Sequence, residues 1–431
     1  MTGFDGVEDA DAKGASAADA STVNAGADGA ALRRSARRGW GVVAAAFVVM
    51  FAAFGCAYAF SAFFASLQES FGASRGALSW AFSIAVCLYF ALGAVSGPLA
   101  DRLGPRGMAL FGMAVIGIGF AAMGQARALW QVYAGYGLGI GIGVGFAYVP
   151  SVGAVQRWFV RRRGFASGLA VSGIGVGTLV VPKVAEWLIE AQGWRGAAVT
   201  LGFLAVLVGG GAALLVDGAP ERRGFAPDGG VAGANDAPTA GMALRDVLRS
   251  RPFGLLYAAS FVVSLGLFVP FVHLVPFVED RGIAHSTAVT LFTLVGLGST
   301  LGRFCLGGIA DRLGRRRSLA GMYLGLALML AWWLAADSAW KIAVFALVFG
   351  TCYGGFVALA PALLVDYFGA RNASGVIGLC YTSVGLGTLI GPPLAGYTFD
   401  LFGSYALPIA GSAVTALLGA VLVCLMPEPE R

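Results

Sequence analysis

Charge is what this sequence has least of. Asp, Glu, Lys and Arg make up 12% of its 431 residues, about half the share usual in a soluble domain. So few charges cannot cover a water-facing surface of that size, which argues against a soluble enzyme. The 58% hydrophobic content and the mean hydropathy of +0.78 also argue against a disordered chain or a secreted disulfide scaffold. Clusters of His, Cys, Asp or Glu inside the apolar runs are missing as well. Without a paired nucleophile and base, or metal-ligand spacing, neither enzyme chemistry nor a metal nor a cofactor is expected. The six cysteines (Cys56, Cys87, Cys305, Cys352, Cys380 and Cys424) lie within apolar runs and read as small buried hydrophobes.

What is present is long apolar runs. Twelve are counted, at about 40–67, 78–100, 107–124, 129–155, 164–189, 196–216, 253–278, 286–309, 318–336, 340–365, 373–397 and 404–426. Each is close to the roughly 20 residues that cross a bilayer as helix. The net charge of +6 does not point to nucleic acid, because the basic residues sit in short clusters between the runs. Placing the N-terminus and every second loop on one side puts 21 Lys and Arg there, against 5 on the other. By the positive-inside rule both termini are then expected in the cytoplasm. Residues 1–38 read as a disordered cytoplasmic tail, 39–216 as a first six-helix half and 217–252 as a central cytoplasmic loop. Residues 253–426 read as the second half and 427–431 as a cytoplasmic end.

An internal repeat supports the division. Gly97-Pro-Leu-Ala-Asp101-Arg102-Leu-Gly104-Pro-Arg106 recurs as Gly307-Gly-Ile-Ala-Asp311-Arg312-Leu-Gly314-Arg-Arg316. Gly175-Val-Gly177-Thr-Leu179 with Pro182 recurs as Gly385-Leu-Gly387-Thr-Leu389 with Pro392. Both recur at an offset of 210 residues, which implies two homologous parallel halves with a site between them near the midplane.

The repeated Gly-x-x-x-Asp-Arg-x-Gly-x-Arg loop resembles the signature of the major facilitator superfamily, over about residues 38–426. Within it, the chain resembles bacterial relatives of the monocarboxylate porters and oxalate:formate antiporters. The features are Gly39-Trp40-Gly41, the stretch from Tyr58 to Ser79 through Phe63-Phe64 and Phe71-Gly72, Trp158-Phe159 with Arg162-Arg163-Gly164, and Arg303. The resemblance implies an all-α membrane protein of twelve transmembrane helices in two homologous six-helix halves, the major facilitator fold. It further implies a secondary transporter in a bacterial cytoplasmic membrane, working by alternating access. The expected partners are a small organic anion, protons and the lipid bilayer; the chain is expected to be monomeric.

Ionisable residues inside spans are rare. A charge at a helix centre costs at least about 2.5–3.5 kcal/mol, so each is a functional candidate. Arg303 lies eight residues before Asp311, about 12 Å into a roughly 30 Å core. Its planar fork of donors fits a carboxylate. Either a substrate anion completes it, or backbone carbonyls or an acid of the chain do. In the resembled porters the matching arginine binds the substrate carboxylate. Three departures matter. Animal monocarboxylate porters have an Asp one turn earlier, where this chain has Ser299. Their span-one Lys aligns with Ala62. The Lys that oxalate antiporters carry in span eleven has no counterpart here. One midplane cation balances a monoanion better than a dianion, and proton coupling does not carry over with the resemblance.

His273, between Pro270 and Pro276, either carries a proton or bonds substrate, or is packed and neutral. The two prolines are expected to break span seven. Tyr58, Tyr148, Tyr353 and Tyr381 line a cavity or pack in the core, and their hydroxyls need partners in either case. Lys183 and Glu186 form an outer-rim ion pair, or attract anions to an outer entrance. Asp101, Arg102, Arg106, Asp311, Arg312 and Arg316 brace a cytoplasmic gate, or simply supply positive-inside charge. Gly135, Gly139 and Gly143, and Gly137, Gly141 and Gly145, form two stripes on span four suited to close helix packing. The leading function is transport of a monocarboxylate; the alternative is efflux of a neutral or amphipathic compound.

Overall fold

In hydrocarbon only a helix or a closed barrel satisfies its own backbone. The computed structural model follows the first route; it describes residues 35–159, 163–218, 242–369 and 373–428. Most of the expected N-terminal tail, the middle of the central loop and residues 429–431 lie outside the described residues. The spans are α1 (Ser35–Phe71), α2 (Arg75–Leu103), α3 (Pro105–Gly124) and α4 (Leu129–Trp158). A single stretch, Arg163–Leu204, follows and runs on to Ala213. At 1.5 Å per residue it is more than twice the length needed to cross a bilayer. Gly193, at φ 74°, turns the chain within it, which gives α5 (163–192) and α6 (194–213). A short helix, Leu244–Arg249, then leads to α7 (Arg251–Glu279), α8 (His285–Leu313) and α9 (Arg315–Leu334). The chain closes with α10 (Ala339–Phe368), α11 (Ala373–Phe402) and α12 (Ala406–Cys424). The spans are therefore twelve.

The 210-residue repeat extends to the backbone. Gly72 and Gly282 (φ 57° and 74°), Gly104 and Gly314 (86° and 90°), and Gly193 and Gly403 (74° and 65°) are left-handed at matching turns. Glycine adopts that conformation without a Cβ penalty. Elsewhere the helices start on familiar signals. Ser74 accepts from the Ala77 amide at the head of α2, and Ser250 caps α7 ahead of Pro252.

Even numbers of spans return the chain to its starting side. Residues 35 and 428 therefore share one end of the bundle, the terminal end; the other is the distal end. The halves meet where α2 lies along α11 and α5 along α8. Contact is close there: a Cβ on Gly396 would stand 2.6 Å from Gly76 Cα, and one on Gly296 would stand 2.7 Å from the Gly175 carbonyl. The two glycine stripes of α4 serve two neighbours. Gly135, Gly139 and Gly143 lie against α3, while Gly137, Gly141 and Gly145 lie against α2.

Two helices are interrupted near their middles. In α1 the helix breaks at Ala59, next to Tyr58. In α7 it breaks at Phe268, where the backbone turns to φ −95°, ψ 0° just ahead of Pro270. The break expected at Pro276 is absent: helix continues through it to Glu279. Pro276 lies one turn from the helix end, so little continuing helix depends on the donor it lacks. A second correction concerns cysteine. Cys56 and Cys380 are buried, but Cys305 and Cys424 are exposed on the outside of the bundle. The outward face of a span meets lipid, which accepts a thiol as readily as a protein core does.

Packing on the glycine stripe generates a test. A Cβ on Gly139 would meet the Gly119 backbone at 2.6 Å, whereas one on Gly153 meets nothing within 4 Å. Overpacking costs about 1–3 kcal/mol. In detergent, Gly139→Ala is expected to lower the melting temperature by several degrees, and Gly153→Ala to leave it unchanged or raise it.

Candidate functional site

Near the middle of α8, Arg303 is 6% exposed. Its Nη1 donates to the Ser299 hydroxyl at 2.5 Å and to the Ser299 carbonyl at 3.2 Å, one turn earlier on the same helix. Nε and Nη2 are buried and have no partner. Among the described residues no carboxylate pairs with this guanidinium. The two unpartnered nitrogens form one edge of the planar fork, with two parallel N–H donors, the edge that holds a carboxylate bidentately. Leaving such donors unsatisfied in a buried site is costly.

The tyrosines singled out from the sequence converge on this group. Tyr353 of α10, Tyr148 of α4, Tyr58 of α1 and Tyr381 of α11 all interact electrostatically with Arg303. The hydroxyls of Tyr58 and Tyr353 bond to each other at 2.9 Å, tying the two halves at mid-depth. Tyr89 of α2 lies 3.5 Å from the Tyr58 hydroxyl; nothing in the sequence marked it, since it stands in an apolar run with no charged neighbour. The Tyr381 hydroxyl is buried without a partner. The break in α1 positions Tyr58, and the break in α7 brings Phe271 within 4.8 Å of the Tyr58 ring. Arg303, Ser299 and the four tyrosines are thus one constellation, fed by both halves.

His273 is not part of it. Nε2 faces the Pro392 carbonyl at 2.9 Å and the Ser79 hydroxyl at 3.2 Å; Nδ1 faces the Tyr405 hydroxyl at 3.0 Å. A carbonyl only accepts, so Nε2 carries the proton and Nδ1 accepts from Tyr405. The imidazole ties α7 to α2, α11 and the start of α12.

That tie belongs to a clasp at the distal end. Arg75, at the head of α2, makes a bidentate pair with Asp280 at 2.6 and 2.7 Å. It also donates to the Tyr405 hydroxyl at 2.9 Å and lies 4.1 Å over the Phe399 ring. Asp400 accepts from the Arg75 and Gly76 amides at 3.0 and 2.9 Å, a carboxylate held at a helix N-terminus. All these bonds cross from one half to the other. Reading the sequence missed the clasp because its members are 205 and 325 residues apart. Its one trace there is that Arg75 is among the five bases on the less basic side.

Lys183 and Glu186 are ion-paired at 2.6 Å, with Glu186 buried and Lys183 half exposed. Lys183 also donates to the Ser286 carbonyl of α8 at 3.3 Å, so this pair too sits where the halves meet distally. Nearby, His285 and Glu279 are 2.5 Å apart. At the terminal end, Arg102, Arg106 and Arg312 are exposed, and the side chains of Asp101 and Asp311 lie outside what is described. Arg316 donates to the carbonyls of Cys424 and Met426 and pairs with Glu428 at 3.5 Å. It thereby ties α9 to the end of α12 within one half.

Comparison with known proteins agrees with this architecture. The family model described as Major Facilitator Superfamily matches residues 45–329 and 256–431. The chain is 28% identical to the human protein named monocarboxylate transporter 11 over 400 residues, covering 90% of this chain and 83% of that one. It is 32% identical to the rat protein named monocarboxylate transporter 3 over 395 residues, covering 87% and 77%. An Aspergillus niger protein named MFS-type transporter pynF is 27% identical over 364 residues, covering 83% and 81%. The chain is a multi-pass membrane protein and a secondary transporter, and it belongs to the major facilitator superfamily, in the monocarboxylate porter group.

Proposed function

We propose that the protein carries a small organic anion, a monocarboxylate, whose carboxylate docks on the Nε/Nη2 edge of Arg303. The single observation behind this reading is the buried, half-satisfied guanidinium: Ser299 anchors Nη1 without neutralising it, and two parallel donors remain open. Arg303 is the one buried Lys or Arg among the described residues, so a second carboxylate would go unpaired. The names of the relatives point to the same substrate class.

Transport follows by alternating access. With the termini in the cytoplasm, the side favoured by the distribution of basic residues, the distal end faces outward. The Arg75–Asp280–Asp400–His273 clasp is then an outer gate in its closed state. Lys183 and Glu186 brace the same closure. Rocking the halves about the Tyr58–Tyr353 contact opens one side as the other shuts. The anion drives this only by binding the two states unequally.

Three outcomes are expected. Losing one partner of a buried charged hydrogen-bonded pair costs about 2–5 kcal/mol, at least about thirtyfold. Arg303→Ala and Arg303→Lys should therefore reduce anion uptake into proteoliposomes by that factor or more, at unchanged protein levels; unaltered uptake rejects the site. Ser299→Asp should place a carboxylate against the fork. Uptake should then fall at least about tenfold and stay low from pH 7.5 to pH 5.5, because the arginine holds the paired carboxylate ionised. Asp280→Asn should loosen the outer gate, seen as faster labelling of a cysteine placed at Ser79 by an impermeant reagent. The double exchange Arg75→Asp with Asp280→Arg should restore protection.

A further inference from the structure

We propose that the anion is an aromatic monocarboxylate, an acid whose carboxylate is joined to a flat ring directly or through a short chain. The inference rests on the Arg303 reading and concerns what surrounds the rest of the substrate. From Tyr58 an unbroken run of rings passes around the constellation. Phe271 is 4.8 Å from Tyr58 and 5.1 Å from Tyr353. Phe268 is 6.1 Å from Tyr353 and 6.2 Å from Phe90. Phe90 is 5.3 Å from Tyr381. The six rings come from α1, α2, α7, α10 and α11, so the run spans both halves. Three of its members, Tyr58, Tyr353 and Tyr381, lie within electrostatic range of Arg303.

Ring geometry explains why this wall suits a ring. Aromatic pairs gain from tilted and edge-on contacts beyond the area they bury. Most of these contacts are of that kind: Phe90 meets Tyr381 at 64°, and Phe271 meets Tyr353 at 63°. Phe90 is only partly buried although it packs against the core, which leaves part of its face for a ligand. The Tyr381 hydroxyl, buried and unpartnered, supplies a second polar point beside the rings. A two- or three-carbon acid would satisfy the arginine and gain nothing from the partly open face of Phe90. A dianion would strand its second charge among the rings.

Two readouts test this on the purified full-length protein: uptake into proteoliposomes and thermal stabilisation in detergent. The probes are benzoate, 3-phenylpropionate, acetate, lactate and benzyl alcohol. Benzoate or 3-phenylpropionate is expected to be taken up and to stabilise the protein at about tenfold lower concentration than acetate or lactate, the gain one good ring contact gives. Phe90→Leu is expected to reduce that preference, read as the ratio of the response to benzoate over the response to acetate. Acetate or lactate acting as well as the aromatic acids overturns the aromatic assignment and leaves the Arg303 reading standing. Benzyl alcohol acting while no carboxylate does overturns both. Should Phe90→Leu fail to fold, the probe series on the unaltered protein decides between these outcomes.

Discussion

The account depends on one buried cation that the protein does not neutralise. A guanidinium removed from water is normally met by a carboxylate, because the desolvation cost of a lone ion is several kcal/mol. Here Nη1 of Arg303 is met by the hydroxyl and carbonyl of Ser299, one helical turn back, while Nε and Nη2 have no partner. The Ser299 groups orient the fork while the net charge stays in place. A buried charge that is held in position yet left uncancelled is what the proposed anion site rests on.

The rest of the architecture serves that arrangement. Breaking α1 and α7 at mid-depth brings Tyr58 and Phe271 to the level of the site, where irregular backbone is tolerated because it lies within protein. Glycine contacts between α2 and α11, and between α5 and α8, bring the halves to backbone distance. Two halves built to one plan, with matching left-handed turns, pack face to face around the arginine. The strongest charge pairing lies at one end of this interface, in the bidentate Arg75–Asp280 pair and the Asp400 cap. A gate made of such bonds is strong when aligned and fails quickly when a small rotation misaligns it.

Much of this was legible in the sequence, for a physical reason. Hydrocarbon imposes length and composition on each span, so twelve runs could be counted, and the repeated Asp-Arg loop fixed the family resemblance. Gly193 shows the same: the sequence separates two spans there, and the backbone leaves the helical conformation and turns at that residue, at φ 74°. Arg303 and the four tyrosines stood out because polar groups in apolar runs are rare. His273 stood out for the same reason, yet its nitrogens are taken up by Tyr405, Pro392 and Ser79. Rarity signals a role without saying which one. The clasp was hidden because Arg75, Asp280 and Asp400 sit at span ends, where charges are ordinary. Only folding brings them together.

The central claim is a position in space: a substrate carboxylate on the Nε/Nη2 edge of Arg303. An experimental map of the protein bound to a carboxylate tests it most directly. The account predicts two ligand oxygens at about 2.7–2.9 Å from those nitrogens, with Nη1 still on Ser299. A side chain of the protein's own occupying that edge, or a guanidinium turned towards lipid while the anion rests elsewhere, would contradict it.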